Sequence, residues 1–357
     1  LFKRKKKRAG TTPYVDALHM LLEGKTDAAL ERLKRTVKED TDNIMAYITL
    51  GNILRDKGFP IRAAKIHRNL LVRGDIADRQ IETVLYSLVL DYRANGLLDK
   101  ATEMAERLVQ RDRKNDAYQQ LLIGLYEEKG EWSKAFSYRQ SFDRWRNKQT
   151  QDILALYKVF AGLDLVNQKS EREARLRFRE AVKLDKKCIP AYLYWGDSYR
   201  REHRDEDALH VWKTFTQKNP DWAHLAFTRL KEVLFDLGRY GDIEDIYSQV
   251  IGKNPKDATV YLNLAEMYQK QGRTEEAMDT CQKVIETYPD SVRGRYLLAR
   301  LLKQNGDADA ALEQTFQALE KEVTNERQYH CSGCGHASQE PLWRCPECHQ
   351  WNTYLAS

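Results

Sequence analysis

The sequence has no apolar run long enough to span a bilayer, and its charged residues make up 31% of the chain. Both observations point to a soluble body. Outside the extreme N-terminus there is no excess of either charge. The formal net charge is +6, and Lys3, Arg4, Lys5, Lys6, Lys7 and Arg8 alone supply six positive charges, so the remainder is near neutral. A body without a broad positive excess does not read as a nucleic-acid binder. Catalytic signatures are also missing. There is no G-x-x-x-x-G-K-[ST], no G-x-G-x-x-G, no G-x-S-x-G and no H-E-x-x-H. The eight histidines are scattered, and carboxylate pairs such as Glu275-Glu276 read as a solvated helix face. The expectation is a protein that is not an enzyme.

Cysteine is scarce, with six in 357 residues, but four of them fall within eighteen residues. Cys331, Cys334, Cys345 and Cys348 form two C-x-x-C turns separated by ten residues. Each such turn aims two sulfurs and several backbone N–H groups at one point. Two facing turns make a tetrahedral thiolate cage suited to one Zn²⁺ or Fe ion. Gly335 permits a positive φ after the first turn and Pro346 stiffens the second. Trp343, Trp351 and Tyr354 are the packing available around the cage. In so short a tail, metal binding is worth about 10–16 kcal/mol and amounts to folding energy. His330 and His336 adjoin the turns and read as neighbours of the cage or surface residues. Thiolates arranged for metal also suggest a reducing compartment.

A repeat organises the rest. Gly24, Gly58, Gly96, Gly130, Gly238, Gly272 and Gly306 each end a helical stretch. Five residues later comes Ala29, Ala63, Ala101, Ala135, Ile243, Ala277 or Ala311. Two copies in between replace the glycine with Lys169 and His203 but keep Ala174 and Ala208. Gly51, Gly162 and Gly196 hold an earlier small position. Pro220, Pro255 and Pro289 close repeats, because proline cannot continue a helix. This pattern resembles the tetratricopeptide repeat, which implies an all-α solenoid of about nine repeats, followed here by the four-cysteine metal knuckle as a small C-terminal domain. Stacked pairs share an apolar core that no single pair could bury.

Within that frame, Tyr92, Tyr126, Tyr199 and Tyr268 read as core, Cys281 as buried and inert, and Cys188 as a turn residue open to solvent. Extra residues over 73–81 and 143–152 stretch the period, and Trp145 in the second reads as a packing residue. Helix-A side chains line the groove of such arrays. The phase places Asn52, Arg55, Arg93, Arg200, Arg300 and Lys303 there, as donors for an acidic or C-terminal carboxylate-bearing peptide.

The boundaries read as a basic juxtamembrane segment over 1–9, the repeats over 10–323 and the metal-binding tail over 324–357. Leu1-Phe2 followed by the basic run reads as the cytoplasmic flank of a membrane helix further upstream. An unstructured basic arm, a nucleic-acid patch and a cloning remnant are the other readings.

The combination of a basic flank, about nine repeats and a C-x-x-C-G…W-x-C-P-x-C-x-x-W tail resembles the LapB (YciM) family of bacterial lipopolysaccharide assembly proteins. The residues carrying the match are Cys331, Cys334, Gly335, Trp343, Cys345, Pro346, Cys348 and Trp351. The resemblance implies a single-pass inner-membrane protein whose soluble part faces the cytoplasm. It implies an adaptor that restrains lipopolysaccharide synthesis by promoting degradation of the LpxC deacetylase by the membrane protease FtsH. It further implies that the rubredoxin-like tail packs on the repeats, that the four cysteines are its metal ligands, and that both parts are needed. Two other readings stay open: a rubredoxin-type iron electron-transfer module carried on a protein-binding solenoid, and a nucleic-acid-binding zinc ribbon. Against the last, Arg344 is the only lysine or arginine between Cys331 and Cys348. The oligomeric state, a homo-oligomer included, is left open.

Overall fold

A computed structural model describes residues 12–73, 76–147, 150–319 and 329–356. The basic run Lys3–Arg8 lies outside them. The chain divides into two compact units, residues 1–148 and 149–357.

The first unit holds four helix pairs: α1 (Pro13–Leu22) with α2 (Thr26–Glu39), α3 (Ile44–Asp56) with α4 (Pro60–Leu71), α5 (Asp78–Ala94) with α6 (Leu98–Arg111), and α7 (Asp116–Glu128) with α8 (Trp132–Trp145). The second holds five. They are α9 (Gln151–Asn167) with α10 (Glu171–Leu184), α11 (Ile189–Arg201) with α12 (Asp205–Lys218), α13 (Phe227–Asp236) with α14 (Asp242–Lys253), α15 (Ala258–Lys270) with α16 (Thr274–Thr287), and α17 (Val292–Gln304) with α18 (Ala308–Leu319). No helix among the described residues is long and apolar enough to cross a membrane.

The turns explain the glycines. The seven inter-helix glycines have φ between 68° and 91°, and Lys169 and His203 keep the same geometry at 61° and 57°. In the third repeat the Gly96 N–H donates to Arg93 O and the Leu97 N–H to Tyr92 O. In the fifth, Lys169 donates to Val166 O and Ser170 to Leu165 O. These paired bonds satisfy carbonyls that the helix end leaves open. Helix starts follow a common rule too. Asn43, Asn115, Asp257 and Ser291 accept N–H groups of the first turn that follows each of them. Pro220, Pro255 and Pro289 each fall two positions beyond the last residue of α12, α14 or α16.

Within a pair, the first helix packs on the second through residues sixteen apart. A Cβ at Gly51 would collide with the His67 ring, one at Gly162 with Phe178, and one at Gly196 with Trp212. Ala17 and Leu33 keep the same small-then-large order in the first pair, whereas the third pair reverses it with Val89 and Ala105, all four buried. Around these contacts, apolar clusters run from pair to pair within each unit.

The tyrosines differ in part from the sequence expectation. Tyr126 is buried, but Tyr92, Tyr199 and Tyr268 are half-buried. Their rings lie beneath cations rather than deep in the core, for example Arg273 at 4.2 Å from the Tyr268 centroid and Arg204 at 4.6 Å from Tyr199. Trp145 packs on Phe142 yet remains 49% exposed. The buried His67 bridges Ile48 O at 3.1 Å and Asp91 at 2.6 Å, tying the second repeat to the third.

Two sets of substitutions check this account. Lys169→Gly and His203→Gly each relieve a left-handed side chain and raise stability by up to about 1 kcal/mol. Gly162→Ala drives a methyl group into Phe178 and lowers stability by about 1–3 kcal/mol, and Phe178→Leu in the same chain recovers part of the loss. Urea denaturation followed by circular dichroism measures both, and the opposite signs would contradict the turn and packing geometry.

Candidate metal centre

Three short strands build the tail: β1 (Tyr329–Cys331), β2 (Ala337–Ser338) and β3 (Tyr354–Ala356), in the order β2-β1-β3 and antiparallel. The two C-x-x-C turns project from this small sheet as near copies. In the first, the Gly335 N–H donates to Cys331 O at 2.8 Å and the Cys331 N–H to His336 O at 3.0 Å. In the second, His349 donates to Cys345 O at 3.0 Å and Cys345 to Gln350 O at 2.9 Å. Gly335 has φ +77°, and His349, its counterpart, takes φ 56° without being glycine.

This geometry brings all four sulfurs within 4.8 Å of one another, with Cys331 to Cys348 and Cys334 to Cys345 each at 3.5 Å. The separations are too long for a disulfide, whose S–S bond is about 2.0 Å. They bracket the roughly 3.8 Å edge of a tetrahedron with metal–sulfur bonds near 2.3 Å.

The electrostatics fit the same assignment. The Thr353 hydroxyl, 3.1 Å from Cys331 Sγ, combines with the N–H groups of Gly333 and Cys334 to pull that thiol down to about 6 against the effect of burial. Burial opposes ionisation of Cys345, but the N–H groups of Cys348 and Glu347 outweigh it and lower its pKa. At Cys348 the Gln350 N–H favours the thiolate, yet burial and the neighbouring sulfurs push it up to about 12. Four sulfurs this close resist full ionisation unless a cation shares their charge. The residues therefore suit one Zn²⁺ or Fe ion, and such an ion would lock the two turns together. Tyr354 adds a hydrogen bond to Cys345 Sγ at 3.8 Å and is itself bonded to His336 Nδ1 at 2.6 Å.

The ribbon packs on the second unit's helices. Trp351 meets Tyr157 and Phe160 edge-on, at 5.5 and 5.7 Å between centroids. A short 3-10 helix over Pro220–Ala226 replaces the regular start of the seventh repeat and presents Trp222 and His224. Trp222 stacks on Tyr329 at 6.4 Å and approaches Trp343 at 6.3 Å, while His224 Nε2 is 3.2 Å from the Tyr329 hydroxyl. Asn352 donates to Asp152 at 3.0 Å, so the first turn of α9 reaches the tail. Cys188 corrects the sequence expectation. It is only 4% exposed, because Trp343 and Trp351 pack against its cluster, and burial first, then Asp185 and Asp152, push its thiol up to about 12. Cys281 is buried, with its thiol likewise raised to about 12 by burial.

The six residues expected along the groove lie on first helices of their pairs, three in each unit. Most already have partners in the next or preceding repeat. Arg55 donates to Asn52 at 2.9 Å and to Asp91 at 3.0 Å, and Arg93 forks onto Glu128. Arg200 joins Asp205 at 2.6 Å and Asp236 at 2.7 Å, and Arg300 donates to Gln269. Lys303 is exposed on α17. Sequence phase located these side chains but carried no sign of the carboxylates that meet them about one repeat away.

Comparison with known proteins is consistent with this two-part architecture. Residues 329–354 match the rubredoxin metal binding domain family, and residues 234–293 and 270–330 match the tetratricopeptide repeat family. Lipopolysaccharide assembly protein B of Escherichia coli (strain K12) is 24% identical over 344 residues, covering 95% of this chain and 88% of that protein. The protein of the same name from Haemophilus influenzae is 23% identical over 351 residues with the same coverage. Among solved structures, MamA from Desulfovibrio magneticus RS-1 aligns at a TM-score of 0.34 and 18% identity, over 50% of this chain and 98% of its own, an overlap too loose to argue from.

Cys345→Ser or Cys348→Ser is expected to abolish stoichiometric metal and unfold the ribbon while the helical circular dichroism signal persists. Metal counting beside that signal tests it, and retained metal would mean the ligand set is wrong.

Proposed function

This chain is a member of the lipopolysaccharide assembly protein B family, and on that premise we propose that it is a non-enzymatic adaptor in lipopolysaccharide assembly at the cytoplasmic face of the inner membrane. The observation that carries the reading is the joining of its two parts. A four-cysteine ribbon is held on a helical repeat array through Trp343, Trp351 and Tyr329. A repeat array offers extended surface for other proteins. A ribbon bound to it by apolar and ring contacts becomes part of that surface rather than a separate module.

In this reading Cys331, Cys334, Cys345 and Cys348 hold one Zn²⁺ or Fe ion whose role is structural. All four positions of a tetrahedral ion are taken by sulfur, which leaves no vacant site for a substrate. Residues 10–323 act as the recognition platform and 324–357 as the metal-bound appendage. The six lysines and arginines of Lys3–Arg8 carry the charge that an anionic membrane surface attracts. The partners are the LpxC deacetylase and the FtsH protease, and the adaptor restrains lipopolysaccharide synthesis by promoting LpxC degradation.

The test is LpxC turnover in the bacterium that carries this chain. Deleting the chain, or replacing Cys345 with Ser, is expected to lengthen the LpxC half-life severalfold after synthesis is stopped. An unchanged half-life in both strains would overturn the LpxC assignment.

A further inference from the structure

Where the ribbon meets the helices it leaves a cavity of about 200 Å³ that neither the sulfur cage nor the apolar contacts account for. The ribbon supplies one wall, including Trp343. The helical side supplies the other, including Leu156 and Trp222. The two indoles stand 6.3 Å apart at 57°, so they form an aromatic corner. Asp152 and Asp185 also line the cavity, and both add to the effect of burial in raising the pKa of the Cys188 thiol, another lining residue. Neither carboxylate has an ion-pair partner among the described residues. Asp152 receives one hydrogen bond, from Asn352, and Asp185 receives the backbone N–H of Lys187 at 2.8 Å. A carboxylate offers about four acceptor sites, so each retains capacity. The one cation in the lining, Lys187, is exposed.

Aromatic faces beside carboxylates are the chemistry that receives an organic cation. An acidic ligand or an acyl carboxylate would be repelled there. A lysine or arginine side chain matches the whole arrangement, since its aliphatic stem covers apolar surface while its charged head seeks acceptors. We propose that this seam cavity binds a lysine or arginine side chain of a partner protein, with the stem against Trp222 and Trp343 and the charge at Asp152 and Asp185. That the partner is a protein rests on the adaptor reading, while the preference for a cation rests on the cavity alone. The site is composite. Trp343 is two residues from Cys345, so the cavity exists only while the ribbon is folded and docked.

The experiment follows the indole N–H signals of the metal-loaded full chain by ¹⁵N NMR. The probes are N-acetyl-lysine amide, N-acetyl-arginine amide and the uncharged N-acetyl-norleucine amide. Expected are saturable shifts of Trp222 and Trp343 with the two cations, and binding of the norleucine amide about tenfold weaker or absent. The double variant Asp152→Asn, Asp185→Asn keeps an acceptor oxygen for Asn352 and for the Lys187 N–H. It should melt as the parent does and bind the cations about tenfold more weakly. Equal shifts with the norleucine amide, no shift of either indole, or undiminished binding by the double variant would each overturn the proposal. The norleucine comparison needs no variant, so a folding defect in the mutant does not blunt it. Because the chain is titrated alone, a negative result leaves the LpxC assignment untouched, and a failed turnover test leaves this result standing.

Discussion

In three of the pairs, the contact between a glycine on the first helix and a ring sixteen positions later sets how closely the paired helices approach. Gly51 under His67, Gly162 under Phe178 and Gly196 under Trp212 leave no room for even one added methyl group. Close approach buries the shared face of a pair and lets the next pair stack on it. The left-handed turns at Gly24 and its equivalents serve the same end, reversing the chain in a few residues so that the two helices can meet.

The ribbon depends on that array in turn. A sheet of two- and three-residue strands has almost no core of its own, and its buried residues include Tyr329, Cys331, Cys345 and Tyr354. Its larger aromatics point outward and find burial against the repeats, with Trp351 on Tyr157 and Phe160, and Trp343 beside Trp222. The cage fixes the turns that carry these tryptophans, and the helices give them somewhere to go. Metal centre and docking surface therefore support each other, although they share no residue.

Local pattern made much of this legible. The period exposed nine turns, and Lys169 and His203 proved to hold the same left-handed geometry as the glycines they replace. The C-x-x-C spacing brought four sulfurs together. What escaped were contacts between residues far apart in the chain, for which no period exists. Nothing near Cys188 announced that Trp343 would cover it, and nothing in Asp152 foretold Asn352, 200 positions away. The phase put Arg55, Arg93 and Arg200 on first helices, but gave no sign of their carboxylate partners. One overlooked signal was available. The stretch Pro220–Ala226 breaks the repeat pattern at Trp222, and a large aromatic where the period fails marks a surface shaped for something else.

The cross-repeat arginine pairs carry a mechanical consequence. Arg55 to Asp91, Arg93 to Glu128 and Arg200 to Asp236 each fasten one first helix to the next, and the Arg93 and Arg200 pairs are partly exposed to water. Charge pairs open to solvent weaken as salt rises, whereas the glycine–aromatic contacts do not. The helix stack thus combines hinges that ignore ionic strength with struts that yield to it, so its stiffness becomes a property of the surrounding electrolyte as well as of the fold.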